Sequence, residues 1–313
     1  MSQRMSVAVV VCAASREREG LLRECLRSLL EGRRVPDEVL VVIDHNPVLE
    51  ASVAGWLPRA VRLLRSESQG ISASRNSGLR AASSDVVAFV DDDASVEPDW
   101  LVRVMEPFEA SDHLLGAGGP VLPRWGEGRR WLPDELLWVV GCTYAGHRED
   151  AGSIRNPIGC NMAFRRRELT AAGGFSTAFG KQGDTLITCD ETEVGLRIER
   201  AHGPGRIRFL PAARVRHFIP AKRIGWRTLV LRCVSEGRSK ARLRRLYGGS
   251  ALGAEREYAQ RLVMRAVPRL VVRGIARRDL QSVLGAAAIL VSLAVTAAAY
   301  CAGSAGARIE AAR

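Results

Sequence analysis

Three carboxylates in succession, Asp91, Asp92 and Asp93, close the apolar run at residues 86–90. Like charges a few Å apart cannot all ionise unless something positive offsets them. A divalent cation answers that need. Oxygen ligands select Mg²⁺ or Mn²⁺, ions that keep waters and bridge substrate phosphates. The plainer reading is an acidic turn at the start of the next helix. The context Phe89-Val90-Asp91-Asp92-Asp93, followed by Pro98-Asp99-Trp100-Leu101, favours the metal. A second acidic group, Asp190-Glu191-Thr192-Glu193, opens a helical stretch with Asp190 in a capping position and Glu193 in the first turn. His217 follows the strand-like Arg214-Val215-Arg216, and on its own reads as a structural residue, as do His45, His113, His147 and His202.

The elements that must position these groups follow from periodicity. Short β-branched runs at 7–12, 39–43, 61–64 and 86–90 alternate with helical patterns in the first hundred residues, the signature of βαβ units and a mainly parallel sheet. Leu21, Leu22, Cys25, Leu26, Leu29 and Leu30 recur at helical spacing before Gly32, and residues 74–82 read as another helix. Ligands of open α/β sheets bind beyond the carboxyl ends of the strands. Three such ends carry residues 13–16, Asp44 and the Asp triplet, so the polar groups converge there. Residues 116–183 are rich in Gly, Pro and Trp and read as loops and short strands facing substrate.

After Pro220 the period becomes helical. Trp226, Leu229, Val230, Cys233 and Val234 share one face. A further helix carries Arg261, Arg265, Arg269, Arg273 and Arg277 at four-residue spacing beside Leu262, Val263, Ala266, Leu270, Val271 and Ile275. That pattern suits a helix lying in a membrane interface, or a solvated arginine face. Residues 280–307 hold no charge, and the 19 residues 283–301 would span roughly 28 Å as a helix, close to the hydrocarbon thickness of a bilayer. The alternative is a buried alanine-rich helix. Arginines crowd the N-terminal side of this segment, which would hold the preceding domain in the cytoplasm with the short tail to 313 outside.

Composition bounds the rest. The chain has 313 residues, 47% of them apolar, enough for one large domain or two small ones, which excludes a disordered tail or a disulfide miniprotein. The net charge of +12 arises at 201–278, where 20 basic residues face 3 acidic ones. Only 3 of the 46 basic residues are lysines, so richness in arginine is discounted as compositional bias. The seven scattered cysteines contain no C-x-x-C pair and suit a reducing compartment. Residues 1–6 are too short and polar to contain a signal h-region, and no secretory signal is expected.

Several blocks together resemble the family 2 glycosyltransferases of GT-A fold, over about residues 6–245. Val9-Val10-Val11-Cys12 through Arg16 looks like the family's opening strand and loop, and Val41-Val42-Ile43-Asp44 like its second strand. Gly70-Ile71-Ser72-Ala73-Ser74-Arg75-Asn76-Ser77-Gly78-Leu79 resembles the block before the metal strand, and Gly173-Gly174-Phe175 with Cys189-Asp190-Glu191-Thr192-Glu193 and Arg197 the acceptor-side motif. The resemblance implies an inverting enzyme using a nucleotide-diphosphate sugar. It implies donor contacts from Ser15, Asp44, Arg75, Asp91 and Asp92, and Mn²⁺ or Mg²⁺ on Asp93, Asp91 and His217. Glu191 takes the place of the general base, with Asp190 as fallback, because an acceptor hydroxyl must lose its proton as it attacks.

Two middle strings, residues 138–144 and 155–162, look like a subgroup that includes archaeal glucuronosyltransferases acting on glucosyl-dolichyl phosphate. That likeness implies a UDP-sugar and a lipid-linked saccharide acceptor, with Trp138, Arg155 and Asn161 toward sugar or acceptor. Departures are also present. The opening loop Ala13-Ala14-Ser15-Arg16 lacks the family's usual aromatic, and no Q-x-x-R-W string of processive synthases occurs, which favours transfer of a single sugar.

The expected architecture is a GT-A catalytic domain at 1–220, basic amphipathic membrane-proximal helices at 221–279, and a transmembrane helix at 280–307. The expected place is the cell membrane with the catalytic domain cytoplasmic and an anionic lipid surface as partner. Competing readings are a polyprenyl-phosphate sugar synthase, an inactive sugar-nucleotide binder, and an anionic-surface or nucleic-acid module using the basic segment. Sparse aromatics in that segment count against nucleic acid.

Overall fold

A computed structural model describes residues 4–127, 131–180 and 187–311. The early alternation of patterns becomes β1 (Val7–Ala13), α1 (Glu19–Leu30), β2 (Glu38–Ile43), α2 (Pro47–Ala54), β3 (Val61–Arg65), α3 (Ile71–Ala81) and β4 (Val86–Asp91). Every residue of β1 is buried, as expected of a central strand covered on both faces. In α1 the buried residues are Leu22, Cys25, Leu26 and Leu29, one helical face. β1 lies parallel between β2 and β4, and β3 extends the sheet beyond β2. The chain therefore winds outward from β1 and returns to its other side at β4. That reversal places a crevice at the carboxyl ends of β1 and β4.

The chain continues through β5 (Ala94–Val96), α4 (Trp100–Ala110), β6 (Gly116–Gly118), β7 (Val121–Trp125), β8 (Gly152–Ser153), β9 (Met162–Arg165), α5 (Arg166–Ala171), α6 (Asp190–His202), β10 (Ile207–Phe209) and β11 (Val215–Ile219). Among the described residues the main sheet has the order β3-β2-β1-β4-β9-β6-β10-β8, and a smaller sheet has the order β5-β11-β7. β9 is antiparallel to both β4 and β6, so the sheet is mixed beyond its parallel half. Phe175 packs edge-on against Phe89 of β4 at 5.1 Å and Phe164 of β9 at 6.5 Å between ring centroids. This aromatic cluster lies in the core.

Described residues within Met1–Arg124, Arg148–Thr185 and Asp190–Phe218 form one compact unit, and those within Trp125–His147, Leu186–Cys189 and Ile219–Arg313 form a second. The division differs from a linear cut at 220. Residues 131–147 join the C-terminal helices because Trp131 stacks on Trp226 at 4.7 Å and Arg232 donates to the Val139 carbonyl at 2.9 Å. The second unit holds α7 (Trp226–Tyr247), α8 (Gly253–Arg261), α9 (Val267–Arg277) and α10 (Leu280–Ala311). The arginine-spaced stretch is not one uniform helix. It widens into a π-helical turn at Leu262–Ala266, just before Pro268, which has no N–H to donate. By length and composition α10 could cross a membrane, and it packs lengthwise on α7.

One close approach fixes α3 on the sheet. A methyl group added at Gly78 would run into both methyls of Val10 on buried β1. Gly78→Ala is expected to cost about 1–3 kcal/mol through overpacking. The check is thermal unfolding followed by circular dichroism, and an unchanged midpoint would contradict this packing.

Candidate active site

β4 ends at Asp91, and the tight turn into β5 carries Asp92 and Asp93. β5 pairs with β11 so that Ala94 faces His217, and the Phe218 amide donates to the Asp93 carbonyl at 2.8 Å. This pairing brings the His217 Nε2 to 3.0 Å from Asp93 Oδ1. One potential ligand atom from each of Asp91, Asp93 and His217 lies within 4.8 Å of the others. Asp93 and His217 are buried, whereas the Asp91 side chain is 32% exposed, so the triad opens on one side. Two carboxylates and an imidazole fit Mn²⁺ or Mg²⁺, with the open side left for water or substrate oxygens.

Arg18 stands over the same turn. Its Nη1 is 2.8 Å from both Asp92 Oδ1 and Asp93 Oδ2. The carboxylates raise its proton affinity against the opposing effect of burial. Asp92 is therefore engaged with a fixed cation in the buried floor. Arg18 belongs to the 3₁₀ turn Arg16–Arg18 that follows β1, and its amide donates to the Ser15 carbonyl at 3.1 Å. Ser15 is half-buried beside this turn and Arg16 is exposed.

A second cation links both sides of the crevice. The Gly70 amide reaches both Asp44 carboxylate oxygens at 3.1 Å, in a backbone with φ of 113° that glycine accepts, and α3 begins there. A turn later, buried Arg75 donates through Nη1 to Asp190 and through Nη2 to the Gly159 carbonyl at 3.2 Å. Its guanidinium lies 3.5 Å from Asp91 and 3.9 Å from Glu191, and 5.4 Å from the Phe175 ring centroid. Burial disfavours the charged guanidinium, but Asp190, Asp91 and Glu191 together raise its proton affinity.

α6 opens with the acidic pair. Asp190 gives its carboxylate to Arg75, while Glu193 holds Arg197 at 2.7 and 2.8 Å, and Arg197 also donates to the Ala172 and Gly174 carbonyls. The preceding residue, Cys189, has φ of 73°, a left-handed conformation uncommon outside glycine and often found where function demands it. Glu191 remains half-buried. Burial and the neighbouring Asp190 push its carboxyl up to about 8, against the pull of Arg75. Cys12, at the end of β1, is kept as a neutral thiol by its burial.

The geometry gathers Asp91, Asp93 and His217, and through Arg75 it adds Asp190 and Glu191. Asn161 has a different setting. Its oxygen accepts from Trp100 Nε1 at 2.9 Å, and its nitrogen donates to the Pro120 and Ala213 carbonyls, so the amide is spent in the fold. Arg155 donates to the Asn156 side chain at 2.9 Å. Trp138 belongs to the second unit. Two site residues were not foreseen. Arg18 could have been sought as the charge needed beside three carboxylates. Gly159 carries no local signal, yet a methyl group there would collide with the Glu191 carboxylate and approach Arg75.

The chain is similar to several known proteins in sequence and in fold. The sequence profile described as Glycosyl transferase family 2 matches residues 6–170. A glucosyl-dolichyl phosphate glucuronosyltransferase of Haloferax volcanii is 34% identical over 247 residues, 78% of this chain and 79% of that protein. The succinoglycan biosynthesis protein ExoM of Rhizobium meliloti is 28% identical over 77% of this chain and 76% of its own length. Among solved structures, the mannosyltransferase PcManGT from Pyrobaculum calidifontis, in complex with GDP-Man and Mn²⁺, superposes with a TM-score of 0.58 at 18% identity, covering 94% of this chain and 88% of that one. GalNAc-T7 with UDP, GalNAc and Mn²⁺ gives 0.55 at 13% identity over 83% of this chain and 55% of its own. These two similarities establish the GT-A-like fold.

The metal reading makes a direct prediction. Asp93→Asn removes a ligand charge and is expected to weaken Mn²⁺ binding by at least about tenfold, measured by titration with electron paramagnetic resonance. Equal binding by the variant and the wild type would remove Asp93 from the ligand set.

Proposed function

Since the chain belongs to glycosyl transferase family 2, we propose that it moves one sugar, with inversion, from a nucleotide-diphosphate sugar to a lipid-linked saccharide at a membrane surface. The observation that carries this reading is the open Asp91–Asp93–His217 triad joined through Arg75 to Asp190 and Glu191. One side is suited to a diphosphate and the other to a proton. A UDP-sugar and a glycosylated polyprenyl phosphate are the substrates favoured, supported by the glucuronosyltransferase activity for which the Haloferax relative is named. Membrane attachment is supported by the long apolar α10 and by the arginines of the helices before it. The absence of disulfides among the seven cysteines suits a catalytic unit on the cytoplasmic side.

In this mechanism Asp44 and Arg75 hold the donor, and Asp91, Asp93 and His217 would hold Mn²⁺ or Mg²⁺. When bound there, the ion would supply positive charge to offset the negative charge developing on the diphosphate. Glu191 accepts the proton of the acceptor hydroxyl as that oxygen bonds to the anomeric carbon. The bond from that carbon to the diphosphate oxygen breaks in the same step, and its electron pair leaves with the diphosphate. Arg18 adds a fixed cation at the metal-bearing turn. Attack opposite the leaving group inverts the centre, and no covalent glycosyl enzyme forms.

A base must be deprotonated to act. With Glu191 raised to about 8 in the free protein, kcat/KM is expected to climb with pH through neutrality and level off above that value, well above the usual carboxylate range. Glu191→Gln should lower kcat by about 10²–10⁴ with donor affinity little changed. A flat profile from pH 5 to 9, or full turnover by the variant, would exclude Glu191 as base. Gly159→Ala should lower kcat by at least about tenfold by displacing Glu191. The deciding assay offers a panel of nucleotide sugars, with and without Mn²⁺, against bare and glycosylated polyprenyl phosphate. Metal-dependent transfer to the glycosylated lipid is expected. Transfer only to bare polyprenyl phosphate would make the enzyme a lipid-phosphate sugar synthase.

A further inference from the structure

We infer that α10 does not cross the bilayer, and that the second unit attaches to one leaflet, with the apolar side chains of α9 and α10 in the acyl region and the arginines at anionic headgroups. This inference rests on the membrane attachment proposed above and goes beyond it by fixing how attachment occurs.

The geometry of α7 and α10 carries the argument. The two helices run parallel and in close contact. The Cys233 thiol meets the hydroxyls of Ser292 and Thr296, and Gly237 fits against the Thr296 carbonyl, Ala299 and Tyr300. Gly303 lies against Ala241 and Arg238, and Arg244 donates to the Tyr300 hydroxyl at 2.6 Å. α7 thus accompanies α10 along residues 292–303, more than half of the 19-residue apolar centre. Over that stretch α7 carries Arg232, Glu236, Arg238, Lys240 and Arg242. Lys240 is paired with Glu236 at 2.9 Å and with Glu255 at 2.7 Å, and Thr188 donates to Glu236 at 2.7 Å.

If α10 spanned the membrane in this packing, these charges and the 187–189 loop would enter the hydrocarbon. Ionised groups at that depth are among the costliest placements available to a helix, and irregular backbone there needs protein or water around it. An in-plane position removes both costs. It also accounts for the surface. Met264 and Ile275 are each 74% exposed, Val272 and Leu280 are also exposed, and the face of α10 turned away from α7 includes Leu284 and Leu290. Arg265, Arg273 and Arg277 are interleaved with them along the chain, the composition of an interfacial helix on anionic lipid.

Topology tests the inference without reference to activity. The full chain would carry different epitope tags at its two termini, and protease access would be compared in sealed spheroplasts and in inverted vesicles. Both tags are expected on the same side. Tags on opposite sides would show that α10 crosses and overturn the inference. Flotation with phosphatidylcholine vesicles containing a third phosphatidylglycerol provides a second reading. Arg265→Glu with Arg277→Glu is expected to reduce vesicle binding by at least about tenfold. Undiminished binding would remove the role given to the arginines. Wild-type protein that floats with no vesicle would overturn membrane attachment itself and point to a second copy of the chain on the apolar face. Failure to find a lipid-linked acceptor, with both tags on one side and flotation intact, would overturn only the functional proposal.

Discussion

A buried guanidinium holds the site together. Arg75 has carboxylates around it from two parts of the chain, Asp91 at the end of β4 and Asp190 and Glu191 at the start of α6. Each would be costly to enclose without the others, since an unpaired buried charge is heavily penalised. Together they lock the strand end to the helix start. The neighbouring turn repeats the arrangement with Arg18 on Asp92 and Asp93. The two cations let four aspartates and a glutamate share a narrow crevice while Asp91 stays accessible and Glu191 retains a raised proton affinity.

The fold positions these cations by local means. α3 begins where Gly70 adopts a left-handed backbone and meets Asp44, which places Arg75 one turn inside the helix beside Phe175. β11 carries His217 to the Asp turn by pairing with β5. Asn161 ties Trp100 to the carbonyls of residues 120 and 213, bracing the segments on either side of that small sheet. The middle of the chain supplies Gly159, whose missing side chain leaves room for Glu191.

Much of this was legible in the sequence where the signal was local. Period-two and period-3.6 patterns located β1 through β4 and α1, and the Asp triplet at a strand end marked the turn that carries part of the candidate metal triad. What stayed hidden was non-local. Arg18 looks like one more arginine in an arginine-rich chain until the fold sets it against Asp92 and Asp93. Residues 131–147 carry no sequence mark of their partnership with α7, which depends on the stacking of Trp131 on Trp226. The string containing Asn161 matched a subgroup pattern, but a pattern does not distinguish a side chain that reaches a sugar from one that braces a loop. The length and polarity of α10 fit a membrane span, and only its charged neighbour argues for another placement.

The proposed proton transfer depends on Glu191, whose carboxyl is raised by its burial and by Asp190 against the pull of Arg75. The measurement that tests this is the pH dependence of kcat/KM for Asp190→Asn beside the wild type. Asparagine keeps the shape, removes the charge that raises the Glu191 carboxyl, and leaves more of Arg75 to lower it. The acid limb is expected to move to lower pH by about one unit or more. A limb at the same pH in both proteins would contradict this.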